Sequence, residues 1–127
     1  MLLHHKNKWK VVIFGAGHVS QELTRLLLLL ECEVTVFDHR QEWLNRLPSH
    51  AQLVKICTEN MSEKVGSLPV DSFIAIMTMG HSTDLPILLS AATQNFPYLG
   101  IMGSETKAKV LPSSISSKIL SSFASLL

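Results

Sequence analysis

The residues best placed to do chemistry are Gly15, Ala16, Gly17, His18 and Val19, followed at a distance by Asp38 and Arg40. A pyrophosphate needs backbone that comes close and N–H groups that point at it. Gly15 permits a sharp turn out of a strand, and Gly17 carries no side chain to block the phosphate. The third small position of such a turn, which lets a helix pack on the strand, is Ser20 here rather than glycine. A helix beginning near Gly17 offers its first amides and its positive dipole end to an anion. Asp38 follows about 20 residues later, where a carboxylate can accept both hydroxyls of an adenosine ribose and repel a 2′-phosphate. That favours NAD over NADP, while Arg40 is a candidate to accept the 2′-phosphate.

Two further segments belong to the same edge, together with His39-Arg40 beside Asp38. Ligands of open α/β sheets sit outside the carboxyl ends of the strands. Thr78, His81 and Asp84 follow one apolar run, and Gly103, Ser104 and Lys107 follow another. His81 near an acid is the best candidate for a catalytic group, as general base or ligand contact. The competing reading makes residues 82–84 a helix cap and His81 a loop residue. Lys107 can meet a phosphate or carboxylate, or simply be solvated. His18 is expected to matter through its backbone. The remaining histidines are scattered and give no metal site. Cys32 and Cys57 fit neither a zinc motif nor CxxC, so both are expected to be reduced, unreactive thiols.

The elements that must position these residues can be read from periodicity. Residues 8–14 form a first strand, almost continuously apolar, as a parallel strand covered on both faces should be. Val19, Leu23, Leu26, Leu27 and Leu30 fall at helical spacing, and Leu28 and Leu29 widen the face. A deeply packed helix is expected there. Strands follow at 33–38 and 52–56, with a short helix at 41–47 stopped by Pro48. Residues 58–70 read as loop with one helical turn. A strand at 72–78 leads to a helix marked by Leu85, Leu88, Leu89 and Ala92, with Ser82, Thr83 or Asp84 as cap and Pro86 in its first turn. The last strand is 98–102. Strands alternating with helices imply a Rossmann-like, doubly wound parallel sheet in a single three-layer α/β domain. Its core is expected over residues 9–111. Residues 112–127 form a serine-rich tail in which Ile115, Ile119, Leu120, Phe123 and Leu127 mark one amphipathic face.

Composition narrows the function classes. The 127 residues carry a formal net charge of +1, so no global field draws nucleic acid or an anionic membrane. The longest leucine run, 26–30, is far short of the roughly 20 apolar residues of a spanning helix. With no secretory signal visible, a soluble cytoplasmic protein is expected.

Four segments carry a family resemblance: residues 14–19, residues 36–43 with their Asp-x-Arg, residues 77–85 with Met-Thr…His…Asp, and residues 98–104 with Lys107. Together, over roughly residues 9–111, they resemble the XdhC/CoxI family of xanthine dehydrogenase accessory proteins. The resemblance implies a Rossmann domain that binds molybdenum cofactor (molybdopterin), helps it receive its terminal sulfur and delivers it to a molybdenum hydroxylase such as xanthine dehydrogenase. It carries Gly15, Gly17, His18, Asp38, Arg40, Thr78, His81, Asp84, Gly103, Ser104 and Lys107 over as site residues. Against the family pattern, the usual N-terminal domain is expected to be missing from this chain. The chain also runs from Leu111-Pro112 into the serine-rich tail instead of a Gly- and Pro-containing loop and final helix. A standalone domain, a fragment and a frameshifted product all fit that pattern. Two other functions stay open: a small NAD(P)-dependent oxidoreductase, and a regulatory nucleotide-sensing domain. A homodimer contact through the tail is a further expectation.

Overall fold

The computed structural model describes residues 8–78 and 80–102, with the His81 side chain left out. The expected sites Gly103, Ser104 and Lys107 and the serine-rich tail lie outside the described residues. Five strands form one parallel sheet: β1 (Lys10–Phe14), β2 (Glu33–Asp38), β3 (Leu53–Cys57), β4 (Phe73–Ile76) and β5 (Tyr98–Ile101). Their order is β3-β2-β1-β4-β5. The direction of travel therefore reverses between β1 and β4, which is where open α/β sheets bind ligands.

Alternation along the strands builds two cores, one per face of the sheet. Ile13, Val34 and Val36 join Leu28 of α1 (His18–Leu29) and Leu44 of α2 (Gln41–Leu44) on one side. Val12, Phe14, Phe37, Ile74 and Ile76 join Met61 of α3 (Met61–Lys64), Val65 of the 3-10 turn Val65–Ser67, and Ile87, Leu88 and Ala91 of α4 (His81–Ala92) on the other. The three-layer expectation is met. Each fully buried Ile, Val, Leu or Phe contributes roughly 1.5–3 kcal/mol.

The apolar face expected for α1 is corrected by the structure. Ser20, Gln21, Thr24 and Leu28 are its buried residues. Val19, Leu26, Leu29 and Leu30 are exposed, Leu29 to 80%. Ser20, Thr24 and Leu28 recur every fourth residue and form one stripe. Two small residues at the start of that stripe bring the helix close to the strands beside the glycine turn, and the leucines are displaced to the flank. Leu23, Leu27 and Leu30 there join Trp9, Val11, Phe73, Ala75 and Tyr98 around an apolar groove of about 510 Å³.

The cap expected for α4 is also revised. Gly80 is its N-cap, with no side-chain cap, and the helix starts at His81. Ser82, Thr83 and Asp84 lie inside the first turns, with Pro86 following. Among the described residues, no helix is long and apolar enough to cross a membrane.

Candidate functional site

The turn after β1 is built by three short connections. Gly15 N–H donates to the Phe37 carbonyl at 2.7 Å, and Met77 N–H donates to the Phe14 carbonyl at 2.7 Å. Gly15 itself has φ +111°, and a β-carbon on it would lie 2.4 Å from the Met77 oxygen. Both the conformation and the space thus require glycine there. Ala16 is buried; its N–H donates to Asp38 Oδ2 at 2.7 Å and its carbonyl accepts from Gln21 Nε2 at 2.9 Å.

Gly17 is different. It is the N-cap of α1 with φ −73°, and no side chain caps the helix. A β-carbon on Gly17 would meet nothing within 4 Å. A helix leaves its first N–H groups without intrahelical partners, and the first intrahelical bond here runs from Gln21 N–H to the Gly17 carbonyl at 2.9 Å. The start of α1 therefore presents amides, a positive dipole end and open space. His18 and Val19 are exposed in this first turn, and the His18 ring meets Trp43 edge-on at 4.9 Å between centroids.

Asp38 ends β2 and is only 2% exposed. Its Oδ1 accepts from Arg40 N–H at 2.8 Å and Arg40 Nε at 2.9 Å; Oδ2 accepts from Ala16 N–H at 2.7 Å and Arg40 Nη2 at 2.9 Å. Burial pushes this carboxyl up. The hydrogen bonds from Arg40 and Ala16, with the Arg40 charge, outweigh burial and hold it below its ordinary value. The same pairing raises Arg40. The guanidinium carbon of Arg40 lies 4.9 Å from the centre of the Trp43 ring, and that of Arg46 lies 4.2 Å from it.

Across the switch point, the Thr78 hydroxyl donates to Asp84 Oδ1. Asp84 is fully buried and Thr78 half-buried, so the pair fastens the turn between β4 and α4. His81 begins α4 at the same sheet edge; its side chain lies outside the described residues. Cys57 is exposed and Cys32 buried, both free, and burial pushes the Cys32 thiol up. Among the described residues, no three His, Cys, Asp or Glu side chains gather as a metal-holding group.

The structure thus brings Gly15, Ala16, Gly17, Asp38 and Arg40 into one cluster, with the Thr78 backbone against Gly15 and the Thr78 hydroxyl bonded to Asp84. It adds Gln21, Trp43 and Arg46, to which sequence reasoning gave no role. Gln21 Nε2 also donates to the Trp43 carbonyl at 2.9 Å, linking α1 to α2. The spacing 40, 43, 46 was a visible sign, since residues three apart share a helical face.

Comparison with known proteins agrees with this fold. The XdhC Rossmann domain family matches residues 11–123. Among solved structures, the chain is similar to a crystal structure described as a xanthine dehydrogenase from Bacillus halodurans, with 24% identity and a TM-score of 0.69. That match covers 80% of this chain and 32% of the other, so the chain spans about a third of that protein's length. The similarity shows the fold. No curated protein matches the chain. With the glycine turn, the Asp38–Arg40 pair and the family match spanning nearly the whole sequence, this chain belongs to the XdhC Rossmann domain family.

Proposed function

We propose that this domain holds a phosphorylated, nucleotide-like cofactor of the molybdopterin class at the start of α1, within an accessory protein serving xanthine dehydrogenase-type molybdenum hydroxylases. One observation carries the reading. The first turn of α1 has no side-chain cap, and the space over Gly17 is open. Oriented amides at a helix start favour an anion, and a phosphate is the part that molybdopterin and nicotinamide dinucleotides share. Family membership favours the first of these ligands and an accessory role over turnover.

The residues present fit a phosphate group at Gly17, His18 and Val19. When bound, molybdopterin would supply the ligand set of a molybdenum centre, and this chain would hold and orient its phosphate. The test is native mass spectrometry of the full chain offered molybdopterin, NAD and NADP in turn, paired with Gly17→Val. A bound mass for a phosphorylated ligand that Gly17→Val abolishes supports the site. Absence of binding by all three, or equal binding by the variant, removes it. Co-purification with a molybdenum hydroxylase tests the accessory role separately.

A further inference from the structure

We infer that residues 115–127 of this chain dock along the groove beside α1 and cover the open half of the sheet.

The handedness of the connections leaves that half bare. The crossovers from β1 to β2 and from β2 to β3 run one way along the sheet, and α1 and α2 pack on one face. Those from β3 to β4 and from β4 to β5 run the other way, so right-handed crossing puts α3 and α4 on the opposite face. Among the described residues, no crossover helix therefore lies over β4 and β5 on the α1 side. Burial follows the same division. Ile74, Ile76 and Leu99, in the core under α4, are at most 1% exposed, while their strand neighbours Phe73, Ala75 and Tyr98 are only half-buried. Trp9 is 58% exposed.

The bare surface is apolar and shaped. Trp9, Phe73 and Tyr98 form an aromatic row, with ring centroids 4.7 Å apart at the first step and 6.3 Å at the second. Leu23, Leu27 and Leu30 line the same groove from the flank of α1. A contiguous surface of this kind serves contact with another segment rather than with water.

The chain itself supplies the cover. Residues 103–127 follow directly on β5, the edge strand that borders the groove. Residues 103–114 can reach up to about 40 Å when extended, against roughly 13 Å for the four residues of β5. The chain thus has the length to turn back and run down the open face. Ile115, Ile119, Leu120, Phe123 and Leu127 recur at helical spacing. As a helix, the stretch 115–127 would measure about 20 Å, close to the roughly 17 Å of a five-residue strand. The residues between are mostly serine, with Lys118, so the apolar stripe has a polar back. The XdhC Rossmann domain match runs through residue 123, and so counts most of this stretch as part of the domain. That favours the chain's own segment over a second copy of the protein.

The experiment is nuclear magnetic resonance on the isotopically labelled full chain, with a second sample mixed with an equal amount of unlabelled protein. Within one molecule, the Ile119 methyls or the Phe123 ring are expected to show Overhauser contacts to the rings of Trp9, Phe73 or Tyr98. Thermal melts give a second readout. Phe123→Ser should lower the melting temperature by at least about 5 °C. Ser121→Asp, on the opposite side of the same helical spacing, should lower it by no more than about 2 °C. Contacts seen only between labelled and unlabelled molecules would assign the groove to a second copy and overturn the inference. So would the absence of any contact between the segment and the three rings, or equal melting shifts from the two substitutions.

Discussion

The carbonyl of Met77 stands where a side chain on Gly15 would have to begin. A β-carbon there would lie 2.4 Å from that oxygen, on a residue whose φ is +111°. The glycine turn and the exit of β4 are thus packed backbone to backbone at the sheet's switch point. Gly15→Ala meets both strain and collision, and neither neighbour is a flexible side-chain end. A loss of at least about 2 kcal/mol in unfolding free energy is expected from such a site. Urea unfolding of the full chain checks it; a loss below about 0.5 kcal/mol would contradict the packing described.

Gly17 should behave in the opposite way. Its φ of −73° suits any residue, and its β-carbon would point into open space. Gly17→Val is expected to fold with a stability change of about 1 kcal/mol or less, the cost of a poor N-cap, while losing phosphate-ligand binding. Circular dichroism and calorimetry on one sample separate the two effects. A variant that binds normally would place the ligand elsewhere.

The Asp38–Arg40 pair predicts an acid-sensitive fold. Folding holds the Asp38 carboxyl below its ordinary value, so its contribution is complete above the unfolded-chain pKa of about 3.9. That contribution is lost as pH falls through the lower, folded value. Asp38→Asn should therefore flatten the decline in urea midpoint through this range. At neutral pH it should cost on the order of 1–3 kcal/mol, because Arg40 loses its countercharge. An unchanged acid limb would mean that the pairing does not persist in solution.

Helix α1 supplies a pair of contrasting substitutions. Leu29 is 80% exposed and Thr24 is fully buried. Leu29→Lys should shift stability by no more than about 0.5 kcal/mol. Thr24→Leu should cost about 1–3 kcal/mol by pushing the helix off the strands. If thermal melts showed the leucine substitution to be the damaging one, the assignment of the buried face would be reversed.

Much of this was legible in the chain itself. Val11-Val12-Ile13-Phe14 and Phe73-Ile74-Ala75-Ile76 are apolar on both faces, and the structure makes both of them central strands. The glycine turn, its helix and the terminal acid of β2 also stand where spacing put them. The face of α1 was hidden by abundance: with leucines on several sides, periodicity cannot say which side the sheet takes. The choice fell to Ser20 and Thr24, whose small volume permits close approach. The pairing of Asp38 was hidden for another reason. Asp38-His39-Arg40 shows an acid and a base two apart, but only three-dimensional geometry reveals that the guanidinium bonds both carboxylate oxygens. At α4 the polar residues 82–84 suggested a cap, yet Asp84 is turned inward to Thr78.

Two amides of the glycine turn, those of Gly15 and Ala16, are already bonded to β2 through Phe37 and Asp38. The turn is consequently shaped when the sheet forms, and an anion of the kind proposed would have little chain to freeze. Association at this place should resemble a key entering a finished lock, its entropy penalty confined to the guest.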